Sequence, residues 1–255
     1  MTDWNPQAYL AFADERLRPA QDLLARVPPG PCEVIFDLGC GPGNSTALLH
    51  AAWPAARITG VDSSPAMLAK ARDVVPAATF IEADVTAFAP PEADLIYSNA
   101  LFQWIPGHVA VWTRLLSAMK PGAILAVQMP DNLNEPSHAL MRDVASLPQF
   151  EAKLKGRETV RARIELPRTY HDALAPFASR IDIWRTEYNH IVTAASGIAD
   201  FFASTGLKRY LDALEETDAR AFRALYEERL VKAYPPLKDG RVMFALPRIF
   251  IVAQR

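Results

Sequence analysis

The sequence predicts an α/β fold: a seven-stranded, mostly parallel sheet with helices on both faces and a small helical cap. Two observations carry this prediction. Short apolar runs alternate with helical patterns through the first half of the chain, which is the order that right-handed β–α–β crossovers require. A glycine-rich turn follows the first of these runs, and three successive runs end in an aspartate. Half of the 255 residues are apolar, so the chain can bury a full core.

The first half of the chain contributes five of the strands and the helices between them. Asn5 is a suitable N-cap for a first helix over 6–27, which the proline-rich run 28–31 ends. Proline and glycine residues mark the boundaries between the predicted strands and helices in the rest of this half. Strands are predicted at 34–37, 57–62, 79–84, 93–97 and 123–128, with helices at 44–53, 64–73 and 109–119.

After Met129 the pattern becomes less regular. Residues 130–166 are predicted to be polar and helical, and a strand follows at 180–192. Pro247 interrupts the last predicted strand, which indicates an edge position or a bulge. The remaining predicted elements are helices near 197–202, 207–214 and 218–233 and a strand at 242–253.

Composition and charge exclude several classes of protein. The formal net charge is −2 without a block of like charge, so an electrostatic footprint for nucleic acid is missing. No run of about 20 apolar residues predicts a membrane span, and the first residues do not resemble a signal peptide. The two cysteines, Cys32 and Cys40, lie at opposite ends of the first strand, too far apart for a disulfide. We therefore expect a reducing, cytoplasmic location, with no metal site and no obligate protein partner.

The loop after the first strand is the most informative feature. Asp37 ends the strand, and Gly39, Gly41 and Gly43 follow at alternate positions before a helix begins. Glycines here let the chain turn sharply and let a ligand approach the main chain. The spacing differs from the dinucleotide pattern G-x-G-x-x-G, and no lysine of a phosphate-binding loop follows. An acid at the loop entrance favours a ligand with a cationic group, although a turn without a ligand remains an alternative.

Two further aspartates extend this candidate site. Because the carboxyl ends of parallel strands share one edge, we expect Asp37, Asp62 and Asp84 to converge on one crevice. Asp62 follows the loop at about the 20-residue interval of an acid that binds ribose hydroxyls. Its alternative role is the N-cap of the next helix, which Ser63 or Ser64 could fill and so leave Asp62 free. Asp84, taken alone, could be a turn residue.

The glycine loop resembles motif I of the class I S-adenosylmethionine-dependent methyltransferases, whose sheet is Rossmann-like. The resemblance implies S-adenosyl-L-methionine as cofactor and S-adenosyl-L-homocysteine as product. It also implies that Asp84 and the backbone N–H of Val85 bind the adenine, and that Asn99 lies beside the methionyl portion. The predicted cofactor-binding residues are Tyr9, Arg16, Asp37, Gly39, Cys40, Gly41, Asn44, Asp62, Ser63, Met67, Asp84, Val85, Asn99 and Trp104. The chain then divides into a cofactor-binding core with an N-terminal lid helix (1–130), a helical cap (131–178) and closing antiparallel strands with inserted helices (179–255), which together form a single catalytic unit.

Aromatic and basic residues near this site allow two interpretations each. Tyr9, Phe12 and Arg16 share one face of the first helix. Phe12 is predicted to pack in the core, whereas Arg16 could pair with the carboxylate of the cofactor and Tyr9 could close over the crevice. Phe102 and Trp104 could belong to the core or line the site, where an aromatic face stabilises a sulfonium.

Three segments resemble a narrower family, the trans-aconitate 2-methyltransferases: 3–24, 98–104 and 239–253. This resemblance runs nearly from end to end. It implies methyl transfer to one carboxylate of trans-aconitate, or of a similar small polycarboxylate, to give a monomethyl ester. A carboxylate is already ionised at neutral pH, so we expect no general base and no other catalytic side chain. Alignment and desolvation would then drive an in-line transfer.

A substrate with several carboxylates needs cationic partners, and an arginine fork binds a carboxylate through two hydrogen bonds. The substrate-binding candidates are Arg241, Arg248, Arg168, Tyr170 and Phe102. The pair Arg241 and Arg248 is preferred, and the reacting carboxylate is expected to lie away from arginine, which would lower its nucleophilicity. Replacing Arg241 by alanine is predicted to raise the Michaelis constant for the substrate and to leave the cofactor affinity nearly unchanged.

Three other functions compete with this one. A methyltransferase of the same fold could act on a carrier-bound acid, an amine or a phenol, but a neutral acceptor has no use for arginine clamps. A nicotinamide-dependent oxidoreductase is disfavoured by the loop spacing and by Asp37. A cofactor-binding module without catalysis is disfavoured by the cap-like insertion, which favours a substrate pocket.

Overall fold

A computed structural model describes residues 13–90, 92–156 and 161–255 of the chain. The predicted start of the first helix therefore lies outside the described residues. The strands are β1 (Val34–Leu38), β2 (Arg57–Asp62), β3 (Thr79–Glu82), β4 (Leu95–Asn99), β5 (Ile124–Pro130), β6 (Arg180–Val192) and β7 (Val242–Gln254). The helices are α1 (Ala13–Leu24), α2 (Asn44–Ala52), α3 (Pro65–Val74), α4 (His108–Ala118), α5 (Pro136–Ala145), α6 (Pro148–Leu154), α7 (Pro167–Leu174), α8 (Ser196–Phe202), α9 (Lys208–Leu211) and α10 (Glu216–Ala233), with a short 3₁₀ turn at Phe102–Trp104.

The seven strands of the described residues form one sheet, in the order β3-β2-β1-β4-β5-β7-β6. Parallel pairing joins β3, β2, β1, β4 and β5, whereas β7 runs antiparallel to β5. The predicted seven-stranded, mostly parallel sheet is confirmed. The strand order reverses between β1 and β4, and ligands of open α/β sheets bind outside the carboxyl ends of the strands at such a reversal.

Apolar strands make the centre of this sheet. Four of the five residues of β1 and six of the seven residues of β5 are buried. Strands covered on both faces lose the alternation of polar and apolar residues, which explains their continuous apolar runs. Trp112 and Leu116 of α4 are fully buried in the same core cluster as Phe36, Leu125 and Ile251. This core fixes the strand ends that carry the candidate site.

β3 and β7 each differ from the sequence prediction for an identifiable reason. β3 ends at Glu82, two residues early, because the Asp84 carboxylate accepts hydrogen bonds from the Thr86 N–H (2.8 Å) and hydroxyl (2.7 Å) and closes a turn. Pro247 lies in β7, which is between β5 and β6 and so is not an edge strand, the first of the two predicted alternatives. It is tolerated because the pairing of β7 with β5 stops at Arg248, so the missing N–H removes no bond from that ladder.

The described residues separate into two compact units. The first contains the glycine loop and comprises 15–130, 161–186 and 248–255, apart from residue 91, and the second comprises 13–14, 131–156 and 187–247. In the second unit α10 packs against α5 and α8. In this unit the buried Tyr226 donates from its hydroxyl to the carbonyl of Ser137 (2.8 Å). No helix among the residues described here is long and apolar enough to cross a membrane.

Candidate functional site

The glycine loop joins β1 to α2 at the reversal of the sheet. Gly39, Gly41 and Gly43 have positive φ angles of 71°, 53° and 94°. A Cβ on Gly39 would lie 2.7 Å from the Cβ of Leu101, so packing requires this glycine. A Cβ on Gly41 would meet no atom of the described residues within 4 Å. A ligand can therefore approach the main chain at Gly41.

Asp37 is fully buried at the end of β1. Its Oδ2 accepts hydrogen bonds from the hydroxyls of Ser45 (2.7 Å) and Thr46 (2.6 Å), and its Oδ1 has no partner among the described residues. Burial raises the pKa of Asp37 to about 6, although the two hydroxyls act to lower it. Asp37 thus ties β1 to the first turn of α2. Sequence reasoning missed Ser45 and Thr46, although two hydroxyl residues in the helical turn after a buried acid are a recognisable signal.

Asp62 ends β2 and braces the glycine loop. Its Oδ2 accepts from the N–H of Gly41 (3.0 Å) and its Oδ1 from the N–H of Ser64 (2.9 Å). Ser64 is the N-cap of α3, as predicted, and its hydroxyl accepts from the N–H of Met67 (3.4 Å). Asp62 is therefore not the N-cap of α3, although both of its oxygens accept backbone hydrogen bonds. Each oxygen of the half-exposed carboxylate nevertheless keeps a further lone pair for a ligand.

Asp84 and Val85 follow β3. Asp84 is exposed, and the hydrogen bonds from Thr86 hold its pKa below the usual range. Both bonds use Oδ1, which leaves Oδ2 available to a ligand. The N–H of Ala83 donates to the carbonyl of Asp62 (3.2 Å), so the ends of β2 and β3 are held together. The aspartates at these two strand ends are neighbours, in the way that the parallel sheet predicts.

Polar amides lie where β4 and β5 end. Asn99 and Gln128 are partners in the ladder between these strands. Gln128 is fully buried, and neither of its amide atoms, nor Oδ1 of Asn99, has a partner among the described residues. Ala100 has a φ of 58°, which is uncommon for a residue other than glycine, and its carbonyl accepts from Nε2 of Gln103 (2.6 Å). Gln128 was not predicted as a site residue; its signal is an amide that interrupts an apolar strand just before the end.

The other predicted cofactor residues differ in exposure. Four of them have exposed side chains that a ligand can reach: Asn44, Ser63, Met67 and Trp104. Cys40 is buried, and burial raises the pKa of its thiol, so only its backbone is suited to ligand binding. Tyr9 and the side chain of Arg16 lie outside the described part of the chain.

Two of the predicted substrate residues are core residues instead. Phe102 and Tyr170 are both fully buried, and their ring centroids lie 5.5 and 5.0 Å from that of Trp112. The Tyr170 hydroxyl is also engaged, because Nε2 of His108 lies 3.0 Å from it and the N–H of Glu165 donates to it (2.9 Å). Neither ring reaches solvent, because both are packed around Trp112 of α4.

The predicted arginine clamps are dispersed. The side chain of Arg168 is 90% exposed, and its Nε lies 3.4 Å from a carboxylate oxygen of Asp172. Arg241 is exposed and pairs with Asp239 at 2.8 Å, which lowers the pKa of that carboxyl. Arg241 precedes β7 and Arg248 lies within it, so seven residues of extended chain, roughly 23 Å at about 3.3 Å per residue, separate them. They do not form the predicted pair, and Arg248 is half-buried.

The arrangement at the ends of β1 to β4 fits a ligand that combines a nucleoside with a cationic group. Asp62 and Asp84 offer carboxylate oxygens to hydroxyl and amino groups, and the chain at Gly41 leaves room for close approach. Asn99 adds an unpartnered amide oxygen. Within the described residues, no cluster of histidine, cysteine, aspartate or glutamate is placed to hold a metal ion. The carboxylate and amide oxygens of this edge suit the hydroxyl and amino groups of an organic cofactor.

The comparison with protein families agrees with this class of site. Residues 35–122 match the family described as a methyltransferase domain. The match contains the glycine loop, the three strand-end aspartates and Asn99. The fold and the loop thus define an S-adenosylmethionine-dependent methyltransferase.

Relatives that match over their full length narrow this class. The chain is 48% identical to the trans-aconitate 2-methyltransferase of Afipia carboxidovorans, and the match covers 100% of both chains. It is 47% identical to the enzyme of that name from Escherichia coli O157:H7, with 100% of this chain and 99% of the other covered. The chain belongs to the trans-aconitate 2-methyltransferase family. Among solved structures, Haemonchus contortus phosphoethanolamine N-methyltransferase 2 in complex with S-adenosyl-L-methionine shares the fold, with a TM-score of 0.54 and 16% identity over 94% of this chain and 52% of that one.

Proposed function

We propose that this chain transfers a methyl group from S-adenosyl-L-methionine to one carboxylate of trans-aconitate, or of a similar small polycarboxylate, and so forms a monomethyl ester. The observation that carries the proposal is the 48% identity to a trans-aconitate 2-methyltransferase over the whole of both chains. A likeness of this extent includes the segments outside the glycine loop. The loop alone indicates the cofactor and not the acceptor.

Residues at the ends of β1 to β4 would hold the cofactor. Asp62 has lone pairs for the ribose hydroxyls, and Oδ2 of Asp84 and the N–H of Val85 suit the amino group and ring of the adenine. The open main chain at Gly41 and the unpartnered Oδ1 of Asn99 suit the methionine portion. These assignments use groups that the protein's own hydrogen bonds leave available.

The chemistry follows from the charges of the two reactants. When bound, S-adenosyl-L-methionine supplies a methyl group on a cationic sulfur, which an acceptor carboxylate oxygen takes by in-line displacement as the carbon–sulfur bond breaks and its electron pair stays on the sulfur. A carboxylate is ionised near pH 7, so no proton has to be removed. The protein's part is to align the reacting atoms and to exclude water. An anion and a cation are neutralised in this step, so a site of low polarity favours it.

Asp37 is poorly suited to act as a general base in this reaction. Its pKa of about 6 lies in a suitable range, but its carboxylate is fully buried and two hydroxyls bind its Oδ2. Its role is to hold β1 and α2 together. We therefore expect kcat to be independent of pH once the acceptor carboxylates are ionised.

A methyl-transfer assay tests this proposal. The purified chain and S-adenosyl-L-methionine are offered trans-aconitate, cis-aconitate, citrate and an uncharged phenol in parallel, and the products are identified by mass spectrometry. A monomethyl ester of trans-aconitate is expected, with a flat profile of kcat from about pH 6 to 9. Turnover of the phenol alone overturns the acceptor, and a bell-shaped profile overturns the mechanism without a general base. Calorimetric titration with S-adenosyl-L-homocysteine tests the cofactor separately.

We also infer a cytoplasmic setting for this reaction. Cys32 is half-buried, Cys40 is buried, and both are free thiols. Free thiols are usual in compartments that keep cysteine reduced.

A further inference from the structure

One face of the sheet carries amide and basic side chains where β4, β5 and β7 meet. Gln128 pairs in register with Asn99 of β4 and with Phe250 of β7, and Pro130, two residues further along β5, pairs with Arg248. Ladder partners share a face of a sheet, and so do residues two apart in a strand. Asn99, Gln128 and Arg248 therefore project to the same side at the carboxyl ends of β4 and β5. None of the paired residues named here is acidic: Asn99, Gln128, Pro130, Arg248 and Phe250.

Gln128 is the polar group that this face leaves unsatisfied. Its side chain is fully buried, and neither Oε1 nor Nε2 has a hydrogen-bond partner among the described residues. Buried amides are nearly always bonded, because removing them from water without a partner is unfavourable. This unfavourable burial of an amide occurs near the end of β5, and the ligands of such sheets bind at the strand ends. A ligand group with hydrogen-bonding oxygens would satisfy the amide.

Arg161 reaches the same strand end from a distant part of the chain. Its Nη2 donates to the carbonyl of Pro130 (2.8 Å), and its guanidinium carbon lies 5.8 Å from the centre of the Trp104 ring. The N–H of Ala162 donates to the carbonyl of Gln103 (2.7 Å) and fixes the backbone beside it. These contacts hold a planar cation at the end of β5, next to Trp104, which is 52% exposed.

We propose that Arg161, Arg248 and Gln128 form the recognition site for the carboxylates of the acceptor, a small di- or tricarboxylate. The inference rests on the proposed function and names the residues that select its substrate. A guanidinium has five N–H donors in a planar fork that matches the two oxygens of a carboxylate, which suits Arg161 and Arg248 to this role. The positive charges of Arg161 and Arg248 neutralise two of the three carboxylates of the acceptor. The third, reacting carboxylate then meets the neutral amide of Gln128, which orients it without an ion pair and so preserves its nucleophilicity.

Calorimetric titration of the whole chain tests this assignment. Trans-aconitate is titrated into protein saturated with S-adenosyl-L-homocysteine, so that the readout is binding and not turnover. Arg161→Gln and Arg248→Gln are each expected to weaken binding about 10- to 100-fold, the usual loss when a hydrogen bond to a charged group is removed. Arg161→Lys, which keeps the charge without the fork, is expected to lie between wild type and Arg161→Gln. Arg163→Gln, at an exposed arginine of the same segment, is the matched control and is expected to bind as wild type does.

Acceptors that lack one carboxylate separate a binding role from a structural one. Mesaconate and glutaconate each lack one of the three carboxylates of trans-aconitate. If the missing carboxylate is the one that Arg161 binds, the Arg161→Gln change should weaken the binding of that acceptor far less than it weakens the binding of trans-aconitate. Equal losses for all three acceptors, or a parallel loss of S-adenosyl-L-homocysteine binding, would mean that Arg161 only braces the end of β5, and the inference would be overturned.

The proposed function and this inference fail in different ways. If the wild-type chain binds no trans-aconitate in the presence of S-adenosyl-L-homocysteine, the acceptor itself is wrong. If the wild type binds it and both glutamine variants bind it equally well, only the inference is overturned. Should Arg161→Gln lose its cooperative unfolding transition, Arg161→Lys decides, because its affinity must still fall.

Discussion

The carboxyl edge of the sheet has two halves that are built differently. At the ends of β1, β2 and β3 the charged groups are acids, and each is bonded within the protein: Asp37 to two hydroxyls, Asp62 to two backbone N–H groups and Asp84 to Thr86. At the ends of β4 and β5, where Arg248 of β7 pairs with Pro130, the polar groups are amides and arginines. There Gln128 has no partner among the described residues. Each acid of the first half has a hydrogen-bond partner on at least one oxygen, whereas neither amide atom of Gln128 has one among the described residues.

This difference matches the charges of a methyl donor and an anionic acceptor. A nucleoside with a cationic amino acid portion always presents the same groups, so a preformed acidic cradle binds it without reorganisation. Arginines close to the cationic sulfur would oppose its binding, since like charges repel strongly where water is excluded. Because the acids lie on one half of the edge and the arginines on the other, the cationic donor and the anionic acceptor each meet side chains of opposite charge. The following variants test this contrast, in order of decreasing expected effect.

Gly39→Ala tests how rigidly the acidic half is built. The new Cβ lies 2.7 Å from Leu101 and the φ of 71° disfavours it, so we expect a loss of roughly 2–5 kcal/mol in the free energy of unfolding. Gly41→Ala is the matched control, because only its φ is unfavourable, and it should lose about 1–2 kcal/mol. Urea unfolding measures both values. Equal losses would mean that packing against Leu101 does not define the loop.

Asp37→Asn tests the buried acid through pH. The folded-state pKa of Asp37 is raised to about 6 from an ordinary value of 3.8, so its stabilising contribution is present at low pH and is lost as pH rises through about 6. Relative to the asparagine variant, the wild type should lose on the order of 2–3 kcal/mol of unfolding free energy between about pH 4 and 6.5. The difference should then stay constant to higher pH. Parallel stability curves across this range would contradict a buried, titrating Asp37.

Gln128→Leu tests the unsatisfied half. Removing a buried amide without partners should stabilise the ligand-free protein by about 1–2 kcal/mol and weaken the binding of trans-aconitate. Gln103→Leu is the control at a similarly buried glutamine whose Nε2 bonds the carbonyl of Ala100, and it should be destabilised by about 1 kcal/mol. Urea unfolding without ligand compares the two. A destabilised Gln128→Leu variant would mean that the amide is satisfied by water in the free protein.

Arg241→Ala should have the smallest effect. Arg241 is exposed and already paired with Asp239 in a turn, so we expect no measurable change in stability and little change in the Michaelis constant. Arg168→Ala removes another exposed ion pair and is expected to have a similarly small effect. Steady-state kinetics with trans-aconitate decide the matter. A selective rise in the Michaelis constant for Arg241→Ala would restore the substrate role that its sequence position predicts.

Strand prediction succeeded where the signals are local. β2 and β6 begin and end at the predicted residues. β4 begins two residues later than predicted, because the Asp94 carboxylate accepts hydrogen bonds from the N–H groups of Glu33 (3.0 Å) and Val34 (2.9 Å) and pairs with Lys120. Those partners come from other parts of the chain, so no local pattern around Asp94 reveals them.

The same distinction applies to the positions of the predicted site residues. The convergence of Asp62 and Asp84 follows from their place at the ends of parallel strands, which periodicity predicts. Phe102 and Tyr170 carried no sign of their burial, because the ring of Trp112 that they pack against is brought to them only by the folding of α4 and α7. The presence of an aromatic residue in a sequence therefore does not distinguish a core position from a position in the wall of a site.

By itself the sequence determined the α/β class, the parallel sheet, the glycine loop and the aspartates beside it. These depend on the period of apolar residues and on conformations that glycine adopts within a few positions. Only the tertiary structure placed Gln128 beside Asn99 and Arg248, and brought Arg161 to the end of β5. Strand register and long-range packing decide which side chains meet, and both are properties of the whole folded chain.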